Sequence, residues 1–195
     1  MLAVTVMSCG SGLGNQSGVS FDEVMASRRS VRDFDGSKTI GEAEIRSLIE
    51  ATQDAPSWTN AQPTRYYVAL SPEMRENVKN LLPEMNQRNT DGACTYIVST
   101  YVKGLSGFYR GMPSNEVGEG WGAYDNGLAN AYLVLKARAM GFDTLILGGR
   151  DAEGLRRLFA IPEEETVMAV IALGYRASDP NRPGRKPLDE ILSIF

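Results

Sequence analysis

The feature that most constrains the fold of this chain is a long apolar segment at residues 124–140. Its apolar side chains are spread around nearly the whole circumference of a helix rather than along one stripe. They are Leu128, Ala129, Ala131, Tyr132, Leu133, Val134, Leu135, Ala137 and Ala139. A helix of this kind has to be buried on most sides. We therefore expect a central core helix that a second subunit also covers in part; a monomer with an unusually apolar core helix is the alternative.

Length and charge narrow the class of protein. A chain of 195 residues is predicted to form one globular domain with a substantial core. Its formal net charge is −4, and no Lys/Arg-rich run is present. Nucleic-acid binders present a basic stripe to the phosphates, so we predict no nucleic-acid partner.

The chain contains no histidine, and its two cysteines are Cys9 and Cys94. The usual zinc ligand sets and a disulfide framework are therefore unavailable, and we predict no metal site. Ser-His-Asp and Cys-His mechanisms are excluded too, because they need an imidazole that carries a proton near neutral pH. The composition favours an enzyme whose chemistry resides in a bound cofactor.

Residues 1–18 differ in composition from the rest and are predicted to be a flexible leader. The sequence Val-Met-Ser-Cys at residues 6–9 resembles a bacterial lipobox, in which lipid is attached to the cysteine, but the basic and long apolar regions expected upstream are absent. Two interpretations stay open. A leader with an incidental Cys9 predicts a cytoplasmic protein, whereas a lipobox remnant predicts a lipoprotein anchored to the membrane through Cys9.

The remainder of the chain shows regular helix and strand patterns. Ser20 and Glu23 have the spacing of a capping box and begin a short helix. Apolar spacing predicts a second helix at residues 41–54, ended by Pro56. Strands are predicted at residues 65–70, 95–102, 144–147 and 167–173, and further helices begin at Ser71 and Asp151. The Gly-rich connection at residues 104–122 is too long for a simple turn and is predicted to be functional or mobile.

A basic segment follows the first helix. Its potential phosphate ligands are Arg28, Arg29, Ser30 and Arg32. A guanidinium group matches phosphate oxygens with two parallel hydrogen bonds, and a serine hydroxyl adds a donor without bulk. In isolation such a segment is typical of an ordinary solvated turn. A second basic cluster at residues 182–186 supplies further cations, so the two clusters together indicate one shared dianionic ligand.

Two other segments can present polar groups to a ligand. Residues 55–63 form a polar loop stiffened by Pro56 and Pro63, which suits hydrogen bonding to a flat heterocycle, although a simple helix-to-strand turn has the same composition. Gly148 and Gly149 follow a predicted strand, where they allow a ligand close to the backbone or simply end the strand.

The order of these motifs resembles the FMN-dependent nitroreductase family over nearly all of residues 21–195. The matching motifs include Arg-Arg-Ser-x-Arg-x-Phe at 28–34, Ala-Pro-Ser-x-x-Asn-x-Gln-Pro at 55–63, Asp-x-Gly-Leu-Ala at 125–129, Gly-Gly-Arg-Asp at 148–151 and Arg-Lys-Pro at 185–187. The resemblance implies an α+β, nitroreductase-like fold in which helices flank an antiparallel-rich central sheet. It also implies an intertwined homodimer, with residues 19–195 as the FMN-binding domain.

The resemblance assigns the phosphate side of the cofactor site. Arg28, Ser30 and Arg32, together with Arg185, would bind the phosphate and ribityl groups of FMN. Arg29 would lie beside them.

The resemblance also assigns the ring side of the site. Pro56, Ser57 and Asn60 would contact the flavin from the partner subunit. Gly148 and Gly149 would lie against the ring, with a backbone amide near N5.

The implied activity is a ping-pong oxidoreductase reaction. NADH or NADPH would reduce the flavin and leave, and a small organic acceptor such as a nitroaromatic or quinone would then take the electrons. No catalytic side chain is required, which fits the absence of histidine. Phe108, Tyr109 and Arg110 are the predicted lid over the acceptor. A flavin-binding carrier or sensor without turnover is the alternative function.

Overall fold

The structure is a computed structural model and describes residues 19–195. The leader predicted at residues 1–18, with Cys9 and the lipobox-like sequence, lies outside these residues. The helices are α1 (Phe21–Ser27), α2 (Glu42–Thr52), α3 (Pro72–Asn80), α4 (Glu84–Asn89), α5 (Gly120–Ala139) and α6 (Ala152–Phe159). The strands are β1 (Thr64–Ala69), β2 (Thr95–Val102), β3 (Phe108–Tyr109), β4 (Met112–Pro113), β5 (Asp143–Leu147) and β6 (Glu165–Gly174). Short 3₁₀ helices lie at Trp58–Asn60 and Leu188–Glu190.

The main sheet has the strand order β1-β2-β6-β5, and every neighbouring pair is antiparallel. Side chains alternate between its two faces. Val98 of β2 and Val170 of β6 pack in one apolar cluster with residues of α3 and α6. Ile97 and Ile171, the adjacent residues, pack in a second cluster with residues of α2 and α5. The predicted α+β fold with helices flanking an antiparallel sheet is confirmed.

Helix α5 begins at Gly120, four residues earlier than its apolar pattern predicts, and one of its faces is buried against the sheet and α2. The buried face is partly polar, since Asp125, Asn126 and Asn130 all lie on it. The opposite face is open in this chain, with Tyr124 59% and Tyr132 40% exposed. The expectation of burial on most sides is therefore not met within one chain.

The connection before α5 contains structure that the sequence did not predict. Strands β3 and β4 form a two-stranded hairpin, and its two-residue turn places Arg110 and Gly111 at φ values of 51° and 77°. Positive φ at both positions is typical of a type I′ hairpin turn. Helix α4 was also not predicted, because no residue in it is buried and no apolar period marks it. None of the helices in residues 19–195 combines the length and the hydropathy needed to cross a lipid bilayer.

The burial of Tyr66 makes the stability of the fold depend on pH in a way that can be measured. Its hydroxyl donates to Asn130 Oδ1 at 3.2 Å, and burial raises the pKa of Tyr66 to about 12. An unfolded tyrosine has a pKa of about 10, so the neutral phenol stabilises the fold fully below about pH 10, and this contribution is lost as the pH rises to about 12. Two pKa units correspond to about 3 kcal/mol.

We therefore expect the difference in unfolding free energy between the native protein and Tyr66→Phe to shrink by about 2–3 kcal/mol from pH 9 to pH 12. Urea unfolding of both proteins across this range measures it. Subtracting the unfolding free energy of one protein from that of the other cancels the contributions of the groups that titrate in both. A difference that stays constant with pH would contradict the prediction.

Candidate functional site

The arginine segment runs along the outer edge of the main sheet. After α1 ends, Val31 N–H donates to the carbonyl oxygen of Thr144 at 3.1 Å, and Ser30 forms a parallel bridge with the same residue of β5. Val31 is buried in the core, whereas its neighbours Ser30 and Arg32 are exposed. This alternation places the polar side chains of the segment on the solvent side of the β5 edge.

A buried carboxylate fixes the beginning of this segment. Asp143 is 3% exposed and pairs with Arg176, whose Nε lies 2.9 Å from Oδ2. Arg138 Nη1 lies 3.4 Å from Oδ1 of the same residue. Both arginines also hold Ser27, through Arg138 Nε to Ser27 Oγ at 3.0 Å and Arg176 Nη2 to the Ser27 carbonyl at 3.2 Å. The hydrogen bonds with Asp143 raise the pKa of Arg176, so its guanidinium group stays charged.

Positive charges from both ends of the domain act on Arg29. The pKa of Arg29 is below its ordinary value, first because of burial and then because of the positive charges of Arg182, Arg28, Arg176 and Arg185. Like charges that face one another favour an anion between them. The charges of Arg28 and Arg185 thus both act on Arg29, and their convergence on one phosphate stays a prediction.

The predicted ligands of this cluster have no acidic counterion within residues 19–195. Arg29 Nη1 donates to the carbonyls of Ala26 and Arg28, both at 2.7 Å, and Arg32 Nη1 donates to that of Ser30 at 3.3 Å. In the described part of the chain, no carboxylate lies within 4.0 Å of Arg28, Arg29, Arg32 or Arg185. Guanidinium groups that have no carboxylate partner in the described residues, together with a serine hydroxyl, fit a phosphate dianion.

The glycine pair lies on the same edge as the arginines. Gly148 and Gly149 follow the end of β5, four residues after the bridge between Ser30 and Thr144, or about 13 Å along an extended strand. Their carbonyls accept hydrogen bonds from Arg150 Nη1 at 2.7 Å and Asn86 Nδ2 at 3.0 Å. Both glycines are exposed. A Cβ on Gly148 would meet nothing within 4 Å, so a ligand has access to the Gly148 backbone, whereas Asn86 and Pro83 lie against Gly149.

The polar loop at residues 55–63 is held in an unusual conformation. Thr59, Asn60 and Gln62 have φ values of 46°, 61° and 47°. Residues other than glycine rarely adopt such angles, and where they do the surroundings enforce them. The Gln62 N–H donates to Ser57 Oγ and the Trp58 N–H donates to Asp125 Oδ2, each at 2.9 Å. These contacts preorganise the loop.

Beneath the loop lies a cavity of about 250 Å³ between α2, β1 and α5. Its lining includes Pro56, Ser57, Tyr66 and Asp125. Asn60 is exposed, and Ser57 is half-buried. Two of the three predicted loop residues thus border a cavity, and the third faces solvent.

Within one chain the loop and the arginine segment are far apart. The loop is attached at Asp125, and the arginine segment is attached at Arg138. These two residues are 13 positions apart on α5, which corresponds to about 20 Å along the helix axis. The segment of Arg28, Arg29, Ser30 and Arg32 thus runs along the β5 edge, which ends at Gly148 and Gly149, and the charge of Arg185 acts on Arg29. In the same chain, the loop with Pro56, Ser57 and Asn60 is attached near the other end of α5.

Asp125 and Asp143 are structural parts of the site to which the sequence analysis assigned no role. The signal that could have found them is an acidic residue within an apolar segment, because carboxylates are rarely buried without partners. The predicted lid residues Phe108, Tyr109 and Arg110 lie on β3 and its turn, where Tyr109 is 68% exposed. In residues 19–195, no three Cys, Asp or Glu side chains are grouped closely enough to hold a metal ion.

The fold and the site thus define an α+β domain with positively charged side chains, suited to binding phosphate, at one edge of its sheet. The sequence profile of the Nitroreductase family matches residues 25–175, and the chain belongs to that family. YdgI of Bacillus subtilis (strain 168), named "Putative NAD(P)H nitroreductase", is 29% identical over 200 residues, covering 88% of this chain and 95% of the relative. Protein DrgA of Synechocystis is 27% identical over 204 residues, covering 90% and 95%.

A solved structure shows the same fold. It is the crystal structure of a protein named "putative nitroreductase in complex with FMN", from Exiguobacterium sibiricum 255-15. The TM-score is 0.81 at 23% identity, and the match covers 91% of this chain and 98% of that one. The resemblance to the nitroreductase family stated from the motifs is confirmed.

Proposed function

We propose that this chain is an FMN-dependent oxidoreductase that passes electrons from NADH or NADPH to a small organic acceptor, such as a nitroaromatic or quinone, by a ping-pong reaction. The observation that carries the proposal is the group of arginines that have no carboxylate partner among residues 19–195 and that share one sheet edge with the exposed Gly148 and Gly149. Membership of the Nitroreductase family and the FMN of the Exiguobacterium protein support it.

Different residues bind different parts of the cofactor. Arg28, Ser30, Arg32 and Arg185 hold the phosphate and ribityl groups through charge-assisted hydrogen bonds, and Arg29 adds positive charge beside them. Gly148 and Gly149 border the ring. When bound, FMN supplies the transfer of hydride and electrons, so the chain itself needs no general base.

The loop residues Pro56, Ser57 and Asn60 are proposed to complete the site of a second copy of the chain. The separation of about 20 Å along α5 supports this arrangement, because the loop and the arginines of one chain lie at opposite ends of that helix. The open face of α5 carries Tyr124 and Tyr132, and further exposed apolar side chains lie on α1 and near the C-terminus. Several exposed apolar side chains on one protein surface are typical of a subunit interface.

We expect the purified protein to have the mass of two chains by light scattering. A glutamate in place of Tyr132 puts a charge on the open face of α5 and should shift the population toward single chains. Glutamate in place of the exposed Met85 of α4 is the matched control, expected to leave the dimer intact. A native protein that is monomeric at all concentrations tested would contradict the homodimer.

The experiment that tests the function is an absorbance measurement. A protein purified with its cofactor should be yellow, bleach when NADH or NADPH is added without oxygen, and regain its colour when a quinone or nitroaromatic follows. A yellow protein that neither donor bleaches would support the carrier or sensor. A colourless protein that also fails to take up added FMN would contradict both functions.

A further inference from the structure

Asp125 is an acidic side chain in an unusual position. It lies in the second turn of α5, is 3% exposed, and accepts a hydrogen bond from the Trp58 N–H at 2.9 Å. No lysine or arginine nitrogen of residues 19–195 lies within 4.0 Å of it. Burying a carboxyl group without a cationic partner is unfavourable. An apolar residue here would be less costly for folding alone, so the contact with the loop accounts for the acidic residue.

The loop that Asp125 holds is strained. Thr59, Asn60 and Gln62 have positive φ within four consecutive positions. Such angles persist only where neighbouring groups enforce them. The Ser57 hydroxyl closes the loop on itself through the Gln62 N–H, whereas Asp125 attaches it to another part of the fold.

Trp58 is held at two points by the same helix. Its backbone N–H donates to Asp125, and its ring lies against Trp121 with 4.7 Å between the ring centroids. Trp121 and Asp125 are four positions apart on α5 and are therefore neighbours on one face of the helix. The Trp121 indole N–H in turn donates to Asn115 Oδ1 at 2.9 Å. The orientation of the loop is thus set by one rigid element.

We propose that Asp125 is a positioning residue for the flavin: it fixes the conformation in which Ser57 and Asn60 present their polar groups to the cofactor. This inference rests on the proposed function, since the flavin is the group that the loop would contact. Asp125 acts through the Trp58 backbone and need not touch the cofactor itself.

The test compares FMN affinity and loop mobility in two variants of Asp125. Asp125→Ala removes the acceptor and should raise the Kd for FMN, added to flavin-free protein, about tenfold. Amides of residues 57–62 should also exchange with deuterium faster than in the native protein. Asp125→Asn keeps a side-chain oxygen that can accept the Trp58 N–H, so it should restore most of the affinity and protection.

Asn130→Ala is the matched control. Asn130 is buried on the same face of α5, and its hydrogen-bond partners within residues 19–195 are Tyr66, Ser99 and Asn126 rather than residues of the loop. This variant should lose stability while keeping native FMN affinity and native exchange at residues 57–62. An effect of Asp125→Ala that Asn130→Ala reproduces would overturn the proposal.

Failure of the inference can be told apart from failure of the proposed function. If the native protein does not bind FMN, the proposed function is wrong. If it binds FMN while Asp125→Ala matches it in Kd and in loop exchange, only the role of Asp125 is wrong. Should Asp125→Ala not fold, the native protein alone decides: slow exchange of the Trp58 amide supports the role, and exchange at the rate of an unstructured peptide overturns it.

Discussion

Replacing Arg28 and Arg32 together with alanine is expected to raise the Kd for FMN by about two to four orders of magnitude. Hydrogen bonds to charged groups contribute about 1.5–3 kcal/mol each, so losing two guanidinium groups removes about 3–6 kcal/mol of binding free energy. Neither arginine pairs with a carboxylate within residues 19–195, so the fold should remain intact. Titration of flavin-free protein with FMN measures the affinity, and thermal unfolding checks the fold.

The matched control for this variant is Arg46→Ala with Arg88→Ala. It removes the same charge from two exposed ion pairs, with Glu42 on α2 and Glu84 on α4. Surface pairs of this kind contribute less than about 1 kcal/mol, and these two lie outside the arginine segment. The control should keep native FMN affinity. Full retention of flavin by the Arg28/Arg32 variant would refute the phosphate-binding role of these residues.

Asp143→Ala is expected to lower the free energy of unfolding by about 3–5 kcal/mol, because it leaves the guanidinium groups of Arg138 and Arg176 partly buried without their shared carboxylate. Both arginines hold Ser27, the residue before Arg28. The same change should therefore weaken FMN binding as well, by loosening the start of the arginine segment. Urea unfolding measures the first effect and FMN titration the second.

Asp91→Ala serves as the comparison for Asp143→Ala. Its carboxylate pairs with Lys79 at 2.9 Å, but its side chain is 81% exposed, so the loss should stay below about 1 kcal/mol. If Asp143→Ala were no more destabilising than Asp91→Ala, the network around Ser27 would have no structural importance.

Predictions from local sequence succeeded where the physical signal is local. The capping box at Ser20 and Glu23 is present, and Ser71 caps α3 through the Met74 N–H. The predicted strand at residues 95–102 has the bounds of β2, because a run of β-branched and aromatic residues is buried on both faces. Helix α4 gave no such signal, and the start of α5 was misplaced because Gly120 and Gly122 are poor helix formers.

The site was harder to predict because its contacts join distant parts of the chain. The arginine and glycine motifs are visible as short patterns, and the fold brings them to one sheet edge. The bond between Trp58 and Asp125 joins residues 67 positions apart, and the pair between Arg176 and Asp143 joins residues 33 positions apart. No periodicity or local motif encodes such pairs. The first follows from the packing of α5 against β1, β2 and α2, and the second from the antiparallel pairing of β5 with β6, which places Asp143 opposite Gly174.

The distance between the two ends of α5 has a consequence for how activity depends on protein concentration. If each flavin needs arginines from one polypeptide and a loop from another, no single molecule can carry out turnover alone. Specific activity would then decline on dilution below the dimer dissociation constant, and mixing a chain defective only in its arginines with one defective only in its loop would regenerate one intact centre per mixed pair.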